Sequence, residues 1–432
     1  MKKKKVIILS SICLVFLTLL GFIGYNFFFV PSRFNPHQLN YREERQLNEI
    51  ISKEDALYDF DELVKQVENV HPIFIDGTLD KTFYEISKNL IRSKIYQSMT
   101  ILDFKVIASK YMTLFKDGHT KISWYNANKV LDCEIDYIDG KLVLIKNDKN
   151  LIITEFNGKP VEEVYSFIDS ILPSENESGI KANYSFYSKV KSVLDIALDM
   201  ETNDIEFTFE DGTKEIYPFI DYEINYETNK YYFLGDTFIV DFNECYIDEN
   251  LHDIVNNMKK AKENGIKDFI IDARNNPGGN SNACKMLLEA LDMEAPKYGI
   301  LTRCSKEVSY QIGYLKSFGT YETSPSNIAK KNENINLYAL SDRNTFSSAT
   351  MLLCYIRDGH LRTIIGEGSA NKPCCYGDIY QFQLSNSNLI GTISHKKFLR
   401  PSGDTSEDML VPDYITSSSN ALNKALELID KE

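Results

Sequence analysis

The sequence predicts an α/β protein whose core follows a helical subdomain and a β-rich module, all behind one apolar N-terminal helix. Three patterns carry that expectation. An uncharged run opens the chain, helical periodicity fills residues 54–120, and from about Tyr231 strand-like and helix-like segments alternate. Alternation of that kind implies crossover connections and an α/β sheet.

The opening run is the most legible. Lys2 to Lys5 precede Val6 to Val30, in which no residue is charged and nearly all are apolar. Twenty-five helical residues would span roughly 37 Å, enough for a tilted passage through a hydrocarbon layer of about 30 Å. A cleaved signal peptide has a shorter apolar region and a small-residue cleavage site, whereas this run ends in Tyr25-Asn26-Phe27-Phe28-Phe29-Val30-Pro31. Aromatics of that kind suit a membrane interface. Residues 1–30 therefore read as a cytoplasmic lysine run and an uncleaved anchor. Lysines before it and none after put the remaining chain outside the cytoplasm.

Residues 31–53 are polar and read as a juxtamembrane linker. In the helical subdomain, residues 54–120, Leu57, Phe60, Leu63, Val64, Val67 and Val70 share one face. Phe83–Ile95 continues that pattern, and a third helix starts at Thr100 with Asp103 completing a capping pair. Residues 121–230 are the β-rich module. Lys141–Ile145 and Ile205–Phe209 alternate, and Asp139-Gly140, Asn157-Gly158 and Asp211-Gly212 mark turns. Residues 231–432 form the α/β core. Its expected helices are 249–264, 282–291 and about 347–357; its expected strands are 269–273, 337–340 and 362–365.

A net charge of −14 argues against a nucleic-acid partner, because phosphate binding needs a basic face. The eight cysteines lack C-x-x-C spacing, so neither a zinc site nor a disulfide framework is implied. No metal or cofactor is called for.

Four segments could carry chemistry. Asp272-Ala273-Arg274-Asn275-Asn276-Pro277-Gly278-Gly279 is a strand running into a glycine turn, where backbone amides can approach a ligand oxygen. Thr345-Phe346-Ser347-Ser348-Ala349 opens an amphipathic helix; its unpaired amides favour an alkoxide-like nucleophile, although a serine there also serves as an ordinary cap. His119, in Asp117-Gly118-His119-Thr120, is a proton acceptor suited to neutral pH. Lys372 follows Ser347 by 25 residues and could be a desolvated base or a plain loop lysine.

In order, these segments resemble the C-terminal-processing (tail-specific) and tricorn-core serine peptidases. Val70-His71-Pro72, Asn157-Gly158-Lys159-Pro160, Gly366-Glu367 and Val411-Pro412-Asp413 add to the likeness, which spans roughly residues 54–415. The resemblance implies a ClpP/crotonase-like spiral core and peptide hydrolysis through an acyl-enzyme on Ser347. It implies an oxyanion hole from the Ser348 amide and an amide of Gly278 or Gly279. For the base it implies His119, assisted by Glu407 before the final Pro-Asp motif, or alternatively Lys372 in a Ser–Lys dyad. The family's lysine is glycine-flanked, whereas here Asn371 and Pro373 flank it. The middle module shares an Asn-Gly turn with peptide-binding PDZ domains but lacks their carboxylate-binding glycine loop. The expected partners are a peptide or protein substrate and, through residues 6–30, a membrane. The alternative function is a catalytically inactive member of the fold that binds a small apolar ligand or peptide.

Overall fold

The computed structural model describes residues 2–124, 129–147, 149–222 and 227–431, with side chains from Leu14 onward. The chain divides into two compact units. One comprises residues 1–108, 300–323 and 376–397; the other comprises 109–299, 324–375 and 398–432.

The first unit holds the helices Lys53–Val70 and Lys81–Arg92. Ser52 caps the former by accepting the Asp55 N–H at 3.0 Å, and His71 ends it. Asp59 is fully buried on that helix. Its carboxylate is satisfied by the Asn386 and Ser387 amides and the Ser387 hydroxyl. The expected capping pair forms: Thr100 Oγ1 accepts the Asp103 N–H at 3.0 Å, while Asp103 accepts the Thr100 N–H at 3.2 Å. A helix covers Lys2–Phe28. Among the described residues, however, no helix is long and apolar enough to cross a membrane. The single-span expectation thus lacks structural support.

In the second unit the β-rich module is an antiparallel sheet. It runs in the order Lys129–Leu131, Lys214–Asp221, Asp204–Phe209, Lys149–Phe156, Lys141–Lys146 and Glu134–Ile138. Asp139-Gly140 and Asn157-Gly158 both take positive φ at their two positions, the conformation that tight hairpins need. The helices Val161–Ile171 and Glu177–Tyr187 pack in the same module; the second, capped by Asn176, was not expected from sequence.

The α/β core has six strands in sequential order: β1 (Lys230–Leu234), β2 (Thr237–Asp241), β3 (Asp268–Asp272), β4 (Asn336–Ser341), β5 (Thr363–Gly366) and β6 (Tyr414–Ile415). β1 pairs antiparallel with β2, and the rest are parallel. Helices α1 (Glu249–Glu263), α2 (Ser281–Ala290) and α3 (Ser348–Asp358) make the crossovers, and α4 (Ala421–Ile429) closes the chain. Both sheet faces are buried, which explains the unbroken apolar runs Phe238-Ile239-Val240 and Phe269-Ile270-Ile271. Phe238, Val240, Phe269 and Ile271 meet Leu251, Leu287 and Leu352 of α1 to α3. Ile239, Ile270 and Leu340 turn the other way, toward Ala421 and Ala425 of α4. The loops leaving β3 and β4 emerge side by side, as the C-terminal ends of neighbouring parallel strands must.

Candidate active site

Two loops are zipped together at that edge. Asp342, buried after β4, accepts the Asn275 N–H at 3.0 Å and the Asn344 N–H at 2.9 Å. Thr345 Oγ1 donates to Ala273 O at 2.8 Å, and Phe346 N donates to Asn276 O at 2.9 Å. These bonds deliver Ser347 to the entry of α3 with φ 54° and ψ −122°. A non-glycine residue there stores strain, which persists only where the surroundings hold it and which concentrates at functional sites.

Ser347 is held from two sides. Its N–H donates to Asn371 Oδ1 at 2.8 Å, an atom that also accepts Thr350 Oγ1–H at 2.6 Å. Opposite, Gly278 sits at φ 98°, and a Cβ there would lie 2.5 Å from Ser347 Cβ. Gly279 sits at φ 130°, where a Cβ would lie 2.5 Å from Cys245 O. The glycines are thus required by close approach as well as by backbone angle. The Gly278 N–H is already engaged, donating to Asn276 Oδ1 at 2.8 Å. Ser348 opens α3, where amides have no acceptor within the helix. Its hydroxyl donates to Gly279 O at 2.7 Å, tying the helix start to the glycine turn.

His119 Nε2 lies 3.0 Å from Ser347 Oγ, although 228 residues separate them in sequence. Its turn is built by Asp117, which is fully buried and accepts the His119 N–H at 3.0 Å and the Thr120 hydroxyl at 2.5 Å. The imidazole stacks on Phe346 with ring centroids 4.5 Å apart. Behind it, Nδ1 faces two carboxylates: Asp117 Oδ1 at 3.5 Å and Glu175 Oε1 at 3.9 Å. Burial and the neighbouring Asp117 push the Glu175 carboxyl well above its usual range, against the pull of the Gly118 and Lys372 amides. Asp117, His119 and Glu175 are the one group among the described residues with donor atoms close enough for a metal ion. Both carboxylates are already engaged by N–H and O–H donors, an arrangement suited to orienting an imidazole.

The remaining sequence candidates lie elsewhere. The Lys372 ammonium is 38% exposed and pairs with Asp408; only its backbone N–H reaches the site, donating to Glu175 Oε2 at 3.1 Å. Glu407 pairs with Arg400, which also holds Asp358 at 2.6 Å. A carboxylate fixed on a guanidinium there is not the one facing His119. Glu175 was missed because nothing around it distinguishes it from the other acidic residues, which with it number 62.

Residues 238–416 match the model of Peptidase family S41. The chain carries an S41 domain. It is a serine-type peptidase, a hydrolase. The S41 match contains Ser347, the glycine turn and Lys372, whereas His119 and Glu175 lie N-terminal to it. A search of curated proteins found no match. Among solved structures, mature CPAF complexed with lactacystin is similar, with TM-score 0.59 at 12% identity, covering 88% of this chain and 97% of that one. A crystal structure of mature CPAF gives TM-score 0.57 at 11% identity, covering 88% and 96%. The photosystem II D1 C-terminal processing protease gives TM-score 0.44 at 14% identity, covering 84% and 93%. At such identities the likeness is one of fold.

Proposed function

We propose that the protein is a membrane-anchored, extracytoplasmic serine endopeptidase that cleaves peptide bonds through an acyl-enzyme on Ser347. The 3.0 Å approach of His119 Nε2 to Ser347 Oγ carries this reading. With the Nδ1–H tautomer, Nε2 takes the hydroxyl proton as Oγ attacks the scissile carbonyl. Negative charge on the carbonyl oxygen is received by the Ser348 amide, at the positive end of α3, and by the Gly279 amide. The Gly278 amide, engaged by Asn276, serves by giving the serine room. His119 then passes its proton to the leaving amine, and water repeats the sequence to release the acid product. The retention of both nucleophile and base weighs against an inactive binder. Lys2–Lys5 and the uncharged run Val6–Val30 support the anchor.

A fluorophosphonate probe tests the chemistry: wild type is labelled on Ser347 and Ser347→Ala is not. Labelling that survives this substitution refutes the assignment. For the anchor, protease added to intact cells removes the bulk of the chain; a chain left untouched places it inside.

A further inference from the structure

We infer that Glu175, supplied by the β-rich module, is the positioning residue for His119, in place of Glu407 near the C-terminus. This inference rests on reading Ser347 and His119 as the catalytic pair.

Glu175 stands between the helices Val161–Ile171 and Glu177–Tyr187, and its side chain is 3% exposed. Oε1 accepts the Gly118 N–H at 3.2 Å, one residue before the histidine. Oε2 accepts the Lys372 N–H at 3.1 Å, one residue after the Asn371 that holds the Ser347 amide. One carboxylate therefore clamps the base's turn to the loop that supports the nucleophile, while Oε1 lies 3.9 Å from Nδ1. Together with Asp117 Oδ1 at 3.5 Å, Oε1 forms the acidic side on which a charged ring would rest.

The neighbouring residues fix the clamp. Asn176 Oδ1 caps the following helix, accepting the Gly179 N–H at 2.9 Å. Its Nδ2 donates to Ser369 O and Asp408 O, each at 3.0 Å. A Cβ on Gly179 would lie 2.7 Å from Ala370 O, so this helix start is packed directly on the 369–372 loop. Asp117, whose Oδ1 lies 3.5 Å from Nδ1, shares the anionic wall and shapes the turn itself by accepting the His119 N–H and the Thr120 hydroxyl; the tie to the 369–372 loop comes from Glu175. Glu175 is thus the carboxyl group that stands beside Nδ1 and also ties the histidine turn to the loop behind the nucleophile. The β-rich module acts as part of the catalytic apparatus, completing the site as well as flanking it.

The test compares Glu175→Gln, Glu175→Asp and Glu407→Gln in the full chain, using peptide hydrolysis and the rate of fluorophosphonate labelling. Removing the orienting carboxyl group is expected to lower kcat about 100-fold or more, with KM little changed. Glu175→Asp restores part of that loss, and Glu407→Gln loses at least tenfold less than Glu175→Gln. Thermal melts of each variant separate a chemical loss from unfolding. Ser347→Ala and His119→Ala run alongside. If either keeps wild-type labelling, the catalytic pair itself is wrong. If both are dead while folded Glu175→Gln matches wild type, or Glu407→Gln is the more damaged, only the role of Glu175 falls.

Discussion

Two groups of acidic side chains in the same unit behave differently. Asp358, Glu407 and Asp408 are each neutralised by a cation, Arg400 for the first two and Lys372 for the third. Asp117 and Glu175 accept backbone amides and a hydroxyl, with Lys121 beside Asp117, and both face His119. A carboxylate paired with a guanidinium is committed to that cation, whereas Asp117 and Glu175 stand within 4 Å of the imidazole Nδ1. Burial disfavours the charged form of such a group, and carboxyls perturbed in this way concentrate at active sites. On the proposed mechanism the cluster behind His119 serves the chemistry and the C-terminal cluster ties the fold together.

The strongest way to break this contrast is at the reacting pair. Ser347→Ala and His119→Ala each lower kcat by about 10⁴-fold or more, measured by peptide hydrolysis. Next comes Gly278→Ala. Its methyl would overlap Ser347 Cβ at 2.5 Å in a backbone region strained for alanine, so both activity and thermal stability fall, the latter by about 2–4 kcal/mol. Asn371→Ala removes the acceptor for the Ser347 N–H and the Thr350 hydroxyl; denaturant melts should show a loss of about 1–3 kcal/mol.

Glu175 sharpens the contrast through pH. Asp117 and His119 face it from the 117–120 turn, and Lys372 and Cys375 from the segment after β5. Its folded pKa is raised above the ordinary 4.5, so the folded state binds the proton more tightly. The stability this contributes is full below the unfolded value and is lost as pH rises through the folded one. Melts of wild type against Glu175→Gln should show the wild type losing relative stability with rising pH, by at most about 1.4 kcal/mol per unit. An opposite slope contradicts the buried, carboxyl-favouring environment. The smallest effect belongs to Lys372→Ala. Its ion pair with Asp408 is exposed, and its loss costs about 0–1 kcal/mol and leaves turnover within about threefold.

What was legible in the sequence follows from where each signal resides. The crossover helices were placed to within about a residue, because apolar period and caps are local properties. Ser347, His119 and the glycine turn were legible through short motifs. Glu175 was not, since its significance comes from amides of residues 118 and 372, brought together only by the fold. Lys372, chosen by its spacing from Ser347, and Glu407, chosen by its place before the final Pro-Asp motif, have side chains paired with Asp408 and Arg400, which a linear reading did not reveal. The helix Glu177–Tyr187 was hidden in a module read as β-rich, because its polar N-terminus resembles a loop.

The account depends most on His119 activating Ser347. Intact-mass measurement of acylation by a slowly released ester substrate, on wild type, His119→Ala and Lys372→Ala, tests that directly. An adduct on Ser347 is expected at similar rates in wild type and Lys372→Ala, and none on the same timescale in His119→Ala. Normal acylation without the histidine, or its loss with the lysine change alone, would contradict it.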